Sequence, residues 1–120
     1  MTVPFGTVFC DWMATARSEN GVYQYGGAVE AYGDFSLSPA AHALHYASAV
    51  FEGLKAHWQD DGSLAIFRLD DHVARMGQSA EQLRLPIPDT ATLRQMIVDS
   101  VEANVGEVPP APGSLYIRPT

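Results

Sequence analysis

The segment from residue 54 to residue 68 constrains the fold most, because its pattern predicts a β-hairpin. In residues 54–58 and 63–68 the side-chain types alternate along the chain, as in strands that bury one face. Between them lies Asp60-Asp61-Gly62, and an Asp-Gly pair is typical of a tight hairpin turn. Two strands alone are only marginally stable in water, so other parts of the chain must cover this hairpin.

Two amphipathic helices are predicted directly after the hairpin. The first is capped by Asp70 or Asp71 and ends before Pro86, because helices seldom continue into a proline. The second is introduced by Pro88 and Asp89. Apolar residues recur at helical spacing in both helices: Val73, Met76, Ala80 and Leu83 in the first, and Leu93, Ile97, Val101 and Val105 in the second. Each stripe predicts that one face of its helix is buried.

Shorter elements are predicted toward both ends of the chain. The predicted strands are residues 6–16 (one or two strands), 22–25, 28–32 and 114–117. Asn20-Gly21 and Gly26-Gly27 indicate turns, and Ser38-Pro39 favours the start of a helical turn. Because hairpins outnumber helical crossovers, the sequence predicts a single α+β domain of two layers, a mostly antiparallel sheet with two helices packed on it.

Composition and charge argue against several classes of function. The chain has 14 acidic and 7 basic residues and a net charge of −7, without a basic stripe for nucleic acid phosphates. No apolar run approaches the roughly 20 residues that span a bilayer, so we expect no membrane partner. The single cysteine, Cys10, excludes an intrachain disulfide and fits a cytoplasmic protein. His42 and His45 lack a third ligand, so no metal site is predicted.

Three stretches resemble the branched-chain amino acid aminotransferases, a family of fold-type IV pyridoxal-phosphate enzymes. Residues 43–55 read ALHYASAVFEGLK, residues 66–76 read IFRLDDHVARM, and residues 114–119 read SLYIRP. The similarity covers nearly the whole chain. It implies that residues 1–120 are the N-terminal small domain, with pyridoxal 5'-phosphate bound between it and a larger C-terminal domain. Residues 116–120 read as a strand still running, so we expect a fragment truncated at residue 120.

The resemblance assigns roles to five residues. Arg75 matches an arginine that contacts the cofactor phosphate. Tyr46 and Phe51 match aromatic residues that line the pocket for the substrate side chain. Tyr116 matches a tyrosine that contacts the substrate carboxylate, and Arg118 matches an arginine that helps accept the distal carboxylate of glutamate. Residues two apart in a strand face the same way, so Tyr116 and Arg118 suit one recognition edge.

Plainer structural roles are open for the same residues. Arg75 is spaced to pair with Asp71, one helical turn earlier. Tyr46 and Phe51 are of types that commonly fill a core, and Arg118 suits the protection of a strand edge.

No catalytic residue is predicted within this chain. An aminotransferase of this kind needs a lysine that bonds to the cofactor and moves a proton. Lys55 is the only lysine, but it matches a basic position after the FEG sequence rather than the family's catalytic lysine. Gly53 suits a close approach of the backbone to the cofactor, or a sharp turn. We therefore expect the chain alone to be inactive.

The implied function is exchange of an amino group between leucine, isoleucine or valine and 2-oxoglutarate. The expected partners are small amino and 2-oxo acids, and a homo-oligomer of the full-length protein. Two alternatives stay open. One is another fold-type IV enzyme, such as a D-amino acid aminotransferase or an aminodeoxychorismate lyase. The other is a non-catalytic α+β module that binds a protein or a small ligand.

Overall fold

The computed structural model describes residues 3–120 and shows seven short strands and three α-helices. In chain order these are β1 (Trp12–Met13), β2 (Arg17–Glu19), β3 (Val22–Gln24), β4 (Glu30–Ala31), α1 (His42–Tyr46), β5 (Leu54–Trp58), β6 (Leu64–Ile66), α2 (Leu69–Gln82), α3 (Thr90–Ala103) and β7 (Leu115–Ile117). A 3₁₀ turn, Val105–Glu107, follows α3. All strand pairs are antiparallel, and the predicted α+β class is confirmed.

The predicted hairpin supplies two strands of a three-stranded sheet in the order β6-β5-β7, with β5 in the centre. Ala56 of β5 lies opposite Ile66 on one side and Leu115 on the other. The turn closes through the Gln59 N–H, which donates to the Ser63 carbonyl at 2.8 Å. Gly62 has φ +82°, a conformation that glycine adopts without strain.

The first long helix starts differently from the prediction. Arg68, which was assigned to the end of the hairpin strand, has φ 52° and is the N-cap of α2, so β6 already ends at Ile66. Neither Asp70 nor Asp71 is the cap. Both lie in the first turn, where their charges favour the positive end of the helix dipole. In α3 the predicted cap is correct, because the Asp89 carboxylate accepts from the Thr92 N–H at 3.0 Å.

The core lies between the sheet and the two long helices. It consists of Leu54 from β5, Val73 and Met76 from α2, and Leu93 and Ile97 from α3. Ala80 and Val101, also predicted to face inward, are buried. Leu83 and Val105 were predicted to continue these stripes, but they are 56% and 43% exposed. Each lies just beyond the end of its helix, where helical spacing no longer determines which way a side chain points.

The N-terminal strands are tied to α3 by side chains. The buried Asn104 pairs with the backbone of Trp12, accepting from its N–H at 3.1 Å and donating to its carbonyl at 2.9 Å. The Tyr25 hydroxyl donates to Asp99 at 2.6 Å, and its pKa rises to about 12 because of burial and this acidic partner. The predicted turn at Asn20-Gly21 joins β2 and β3, with φ 55° and 79°.

Ser38-Pro39 opens a turn, as predicted, but the regular helix starts a few residues later. The Ser38 carbonyl accepts from the Ala41 N–H at 2.9 Å, and the Ser38 hydroxyl accepts from the Ala40 N–H at 3.1 Å. Helix α1 begins at His42 and has no side-chain cap. Among residues 3–120, none of the helices has the length and apolar character needed to cross a membrane.

Candidate functional site

The FEG sequence places a buried carboxylate beside α2. The Glu52 side chain is 6% exposed, and it accepts from Arg75 twice, from Nε at 2.5 Å and from Nη2 at 2.7 Å. Helix α2 brings Arg75 to this position because Val73 and Met76 face the core and orient the helix. The Arg75 side chain itself is 62% exposed. The alternative pairing with Asp71 does not occur, since Asp71 pairs with Arg68 at 2.7 Å.

His72 completes this group, which we call the Glu52 cluster (Glu52, His72 and Arg75). Its Nδ1 lies 3.0 Å from Glu52 Oε2 and 3.4 Å from Arg75 Nη2. One ring nitrogen does not donate to one group and accept from another at once. The shorter contact to a charged acceptor assigns the proton to Nδ1, which then donates to Glu52.

The cluster keeps Glu52 ionised despite its burial. The hydrogen bonds from Arg75 lower the pKa of the Glu52 carboxyl to about 2, against the opposing effect of desolvation. His72, the charge of Arg75 and the Gly53 N–H contribute to the same lowering of the pKa. A buried carboxylate is stable only with such partners. The Glu52–Arg75 pair therefore has a fixed charge and a fixed geometry at neutral pH.

Three of the predicted site residues meet at the end of β7. The Arg118 guanidinium carbon lies 4.3 Å from the Phe51 ring centroid and 5.3 Å from that of Tyr116. Arg118 also donates to the Tyr116 hydroxyl, from Nε at 3.1 Å and from Nη2 at 2.9 Å. Phe5 packs edge-on against Tyr116, with ring centroids 4.9 Å apart. We call Phe51, Tyr116 and Arg118 the arginine–aromatic cluster.

Gly53 makes room for this cluster. A Cβ atom on Gly53 would lie 3.0 Å from Cζ of Tyr116 and closer still to its hydroxyl oxygen. No atom tolerates such an approach, so the Tyr116 ring reaches its position because residue 53 has no side chain. The FEG sequence was expected to need glycine for the cofactor or for a turn, and the structure shows this further reason.

A Gly53→Ala variant is expected to move Tyr116 while leaving the fold intact. The Tyr116 hydroxyl is the far end of a side chain that can rotate away, so overpacking should cost no more than about 1 kcal/mol of unfolding free energy. Its two hydrogen bonds from Arg118 should break. A crystal structure of the variant measures the Oη–Nη2 distance directly.

Gly106→Ala is the matched control, because a Cβ on Gly106 meets no atom within 4 Å. That variant should leave the Tyr116–Arg118 contact unchanged. An unmoved Tyr116 in Gly53→Ala would contradict the steric argument.

Tyr46 and Lys55 lie outside the two clusters. Tyr46, on α1, is 72% exposed, and its ring contacts are with His42 and His45, at 4.7 and 6.1 Å between centroids. Lys55 is exposed on β5, in register with Tyr116. The role of Tyr46 in substrate binding thus stays a prediction from the resemblance.

The sequence reasoning missed Glu52 and His72. Glu52 is 23 residues from Arg75, a separation at which no local spacing rule operates. The available signal was an acidic residue inside an otherwise apolar stretch, Ala-Val-Phe-Glu-Gly, because a carboxylate among buried residues requires a cationic partner.

Known proteins resemble this chain in both sequence and fold. The branched-chain-amino-acid transaminase 1 of Bacillus subtilis is 36% identical over 116 residues, which cover 96% of this chain and 33% of that protein. The mitochondrial branched-chain amino acid aminotransferase 1 of Humulus lupulus is 43% identical over 94 residues, or 78% of this chain and 24% of that protein. No family model matches.

Solved structures agree with the sequence comparison. The Escherichia coli branched-chain amino acid aminotransferase matches with a TM-score of 0.63 and 28% identity, over 77% of this chain and 28% of that one. The enzyme from Thermobaculum terrenum, solved in its PLP form, matches with a TM-score of 0.60 and 28% identity, over 77% and 29%.

The chain is homologous to part of the branched-chain aminotransferases, over 96% of its own length in sequence and 77% in fold. It spans about a third of the length of the curated relatives that it matches. The predicted resemblance to this family is confirmed, and pyridoxal phosphate, the expected cofactor, is bound in the Thermobaculum terrenum structure.

Proposed function

We propose that the protein is a branched-chain amino acid aminotransferase, which exchanges an amino group between leucine, isoleucine or valine and 2-oxoglutarate. The observation that carries the proposal is the arginine–aromatic cluster, in a chain whose relatives are named branched-chain aminotransferases. Such an enzyme must accept an aliphatic side chain and an acidic one at the same place. An apolar ring beside a guanidinium offers a surface for each.

Residues 1–120 serve in this proposal as the small N-terminal domain. The chain's single lysine, Lys55, lies on the hairpin in register with Tyr116 and is not assigned the cofactor role. A larger domain supplies the lysine that bonds to the cofactor. The short match to the relatives, about a third of their length, supports this division.

Arg75 is the proposed ligand of the cofactor phosphate, and its geometry fits that role. Both bonds to Glu52 use the Nε–Nη2 side of the guanidinium, and the side chain is largely exposed, so the Nη1 group stays available to an anion. A guanidinium binds phosphate oxygens in a fork and stays charged at every working pH. Pyridoxal phosphate, when bound, supplies the electron sink for chemistry at the amino acid Cα.

The substrate is held by the other predicted residues. Phe51 and Tyr46 provide rigid apolar area for a branched side chain. The Tyr116 hydroxyl binds the substrate carboxylate, and Arg118 binds the distal carboxylate when the substrate is glutamate or 2-oxoglutarate. Tyr116 and Arg118 are already joined by two hydrogen bonds, so the two carboxylate-binding groups keep a fixed spacing.

A homo-oligomer and a cytoplasmic location are also part of the proposal. Large apolar side chains are exposed along the N-terminal segment and α1, among them Phe5, Phe9, Phe35 and Leu44. Exposed apolar surface of this kind is typical of regions that contact another domain or subunit. The single cysteine fits a reducing compartment, although several plant relatives are named as chloroplastic and one as mitochondrial.

An amino-transfer assay tests the proposed function. The full-length protein, which includes the larger domain of this proposal, is loaded with pyridoxal phosphate and given 2-oxoglutarate with leucine, isoleucine, valine or D-alanine, and glutamate formation is measured. Turnover with the three branched L-amino acids and none with D-alanine is the expected result. Preference for D-alanine, or no amino transfer at all, would contradict it.

A further inference from the structure

We propose that Glu52 is a positioning residue that holds the Arg75 guanidinium in the orientation in which it binds a phosphate group. The inference rests on the proposed function, because the phosphate it concerns is that of pyridoxal phosphate. It adds a residue to which neither the sequence pattern nor the relatives assign a role. Glu52 itself does not contact the cofactor in this account, and it acts through Arg75.

The donor geometry of Arg75 supports this assignment. A guanidinium has five N–H donors in a rigid plane, and Glu52 takes the Nε hydrogen and one Nη2 hydrogen. The remaining Nη2 hydrogen and the two on Nη1 point away from Glu52, at the end of the guanidinium. Two of these three, one on each nitrogen, are parallel, so a second bidentate interaction is available for an anion. Glu52 thus fixes the arginine without using the edge that a phosphate needs.

The exposure of Arg75 makes such a restraint effective. An arginine that is 62% exposed and unpaired samples many rotamers, and binding an anion must then fix it. Glu52 is 6% exposed and is held in turn by the Nδ1–H of His72. The Arg75 side chain is therefore already restricted to one orientation in the folded protein, and the entropy cost of fixing it does not weaken anion binding.

Glu52 also connects the two clusters. It lies between Phe51, which packs on Arg118, and Gly53, which makes room for Tyr116. Its own N–H donates to the carbonyl of Pro119, the residue after Arg118, at 3.0 Å. The backbone of Glu52 is thus bound to the substrate side, while its carboxylate is bound to Arg75. This arrangement sets the distance between the phosphate-binding arginine and the carboxylate-binding arginine.

A double-mutant cycle tests the proposal through affinity rather than activity. Dissociation constants for pyridoxal phosphate, and for inorganic phosphate as its competitor, are measured for the wild-type protein, Glu52→Ala, Arg75→Ala and the double variant. Glu52→Ala should weaken the binding of both ligands about tenfold, the lower end of the loss caused by removing residues that orient metal ligands. The double variant should bind no worse than Arg75→Ala alone, because Glu52 acts through Arg75. Asp71→Asn, which removes the carboxylate partner of Arg68 on the same helix, is the matched control and should bind normally.

Other results of this cycle distinguish failure of the proposed function from failure of the inference about Glu52. If the wild-type protein binds neither ligand, the cofactor part of the proposed function fails together with this inference. If Arg75→Ala weakens binding and Glu52→Ala does not, only the inference fails. If Glu52→Ala weakens binding equally in the presence and absence of Arg75, Glu52 does not act by positioning Arg75.

A conservative variant covers the case in which Glu52→Ala does not fold. Glu52→Gln keeps one acceptor for Arg75 and removes the negative charge, so it should bind both ligands more weakly than the wild-type protein, but less so than Glu52→Ala. The ¹⁵N–¹H resonance of Arg75 Nε should broaden in it and sharpen when inorganic phosphate is added. Tighter binding by Glu52→Gln would show that Glu52 acts by repelling the anion, and would overturn the proposal.

Discussion

An Arg118→Ala variant is expected to lose about 30-fold in kcat/KM for 2-oxoglutarate, equivalent to a charge-assisted hydrogen bond of about 2 kcal/mol. Arg118 presents a guanidinium between the Phe51 ring and the Tyr116 hydroxyl, and in the proposed function it pairs with the distal carboxylate. Leucine has no such carboxylate. Its kcat/KM should therefore fall much less. Because the proposed exchange proceeds in two half-reactions, one for each substrate, single-turnover kinetics of the full-length protein with each substrate measures the two effects independently.

Two further variants control this experiment. Arg118→Lys keeps the charge but not the planar fork, so it should recover only part of the loss. Arg17→Ala removes an exposed arginine from β2 and should change neither half-reaction. Equal losses for leucine and 2-oxoglutarate in Arg118→Ala would contradict the assignment, since they would indicate a general distortion of the site.

A Glu52→Gln variant is expected to lower the free energy of unfolding by about 2 kcal/mol near neutral pH, since it removes the negative charge and replaces one of the two buried acceptors by an NH2 donor. The loss should depend on pH. Hydrogen bonds from Arg75 lower the folded-state pKa of Glu52 to about 2, below the ordinary value of 4.5. A carboxyl whose folded-state pKa is lowered stabilises the fold fully above the ordinary pKa, and this stabilisation disappears as the pH falls through the folded-state value.

Denaturant unfolding at about pH 6 and about pH 3 tests this dependence. The wild-type protein should exceed Glu52→Gln in stability at the higher pH, and the difference should shrink from about pH 4.5 toward about pH 2. Glu81→Gln, which replaces an exposed residue of α2, is the control. It should have the same unfolding free energy as the wild-type protein at both pH values. A stability difference that is constant between the two pH values would show that the Glu52 charge is not what stabilises the fold.

Much of the fold was predictable because local rules determine it. The Asp-Gly turn and the alternating strands around it specify the hairpin, and the apolar stripes specify which faces of α2 and α3 are buried. The errors occur at element ends. Arg68 adopts a left-handed conformation and ends the strand early, although an arginine gives no signal for positive φ. Leu83 lies one residue past the end of α2, where helical spacing no longer predicts which side chains are buried.

For the candidate site, the sequence predicted which residues take part but not how they contact one another. The family resemblance named Phe51, Tyr116 and Arg118, and i, i+2 spacing in a strand brought the last two to one face. That Phe51 packs on Arg118 depends on how β5 and β7 pair, which the sequence alone does not specify. The burial of Glu52 against α2 is likewise a tertiary contact between distant residues.

A crystal structure of the protein grown with pyridoxal phosphate tests the central claim most directly. We expect the phosphate oxygens to accept hydrogen bonds from the Nη1 end of Arg75 while its Nε and Nη2 remain bonded to Glu52. The phosphate should lie on the same side of the molecule as Phe51 and Arg118. A cofactor bound with its phosphate away from Arg75, or an Arg75 that has released Glu52 to reach it, would contradict the account.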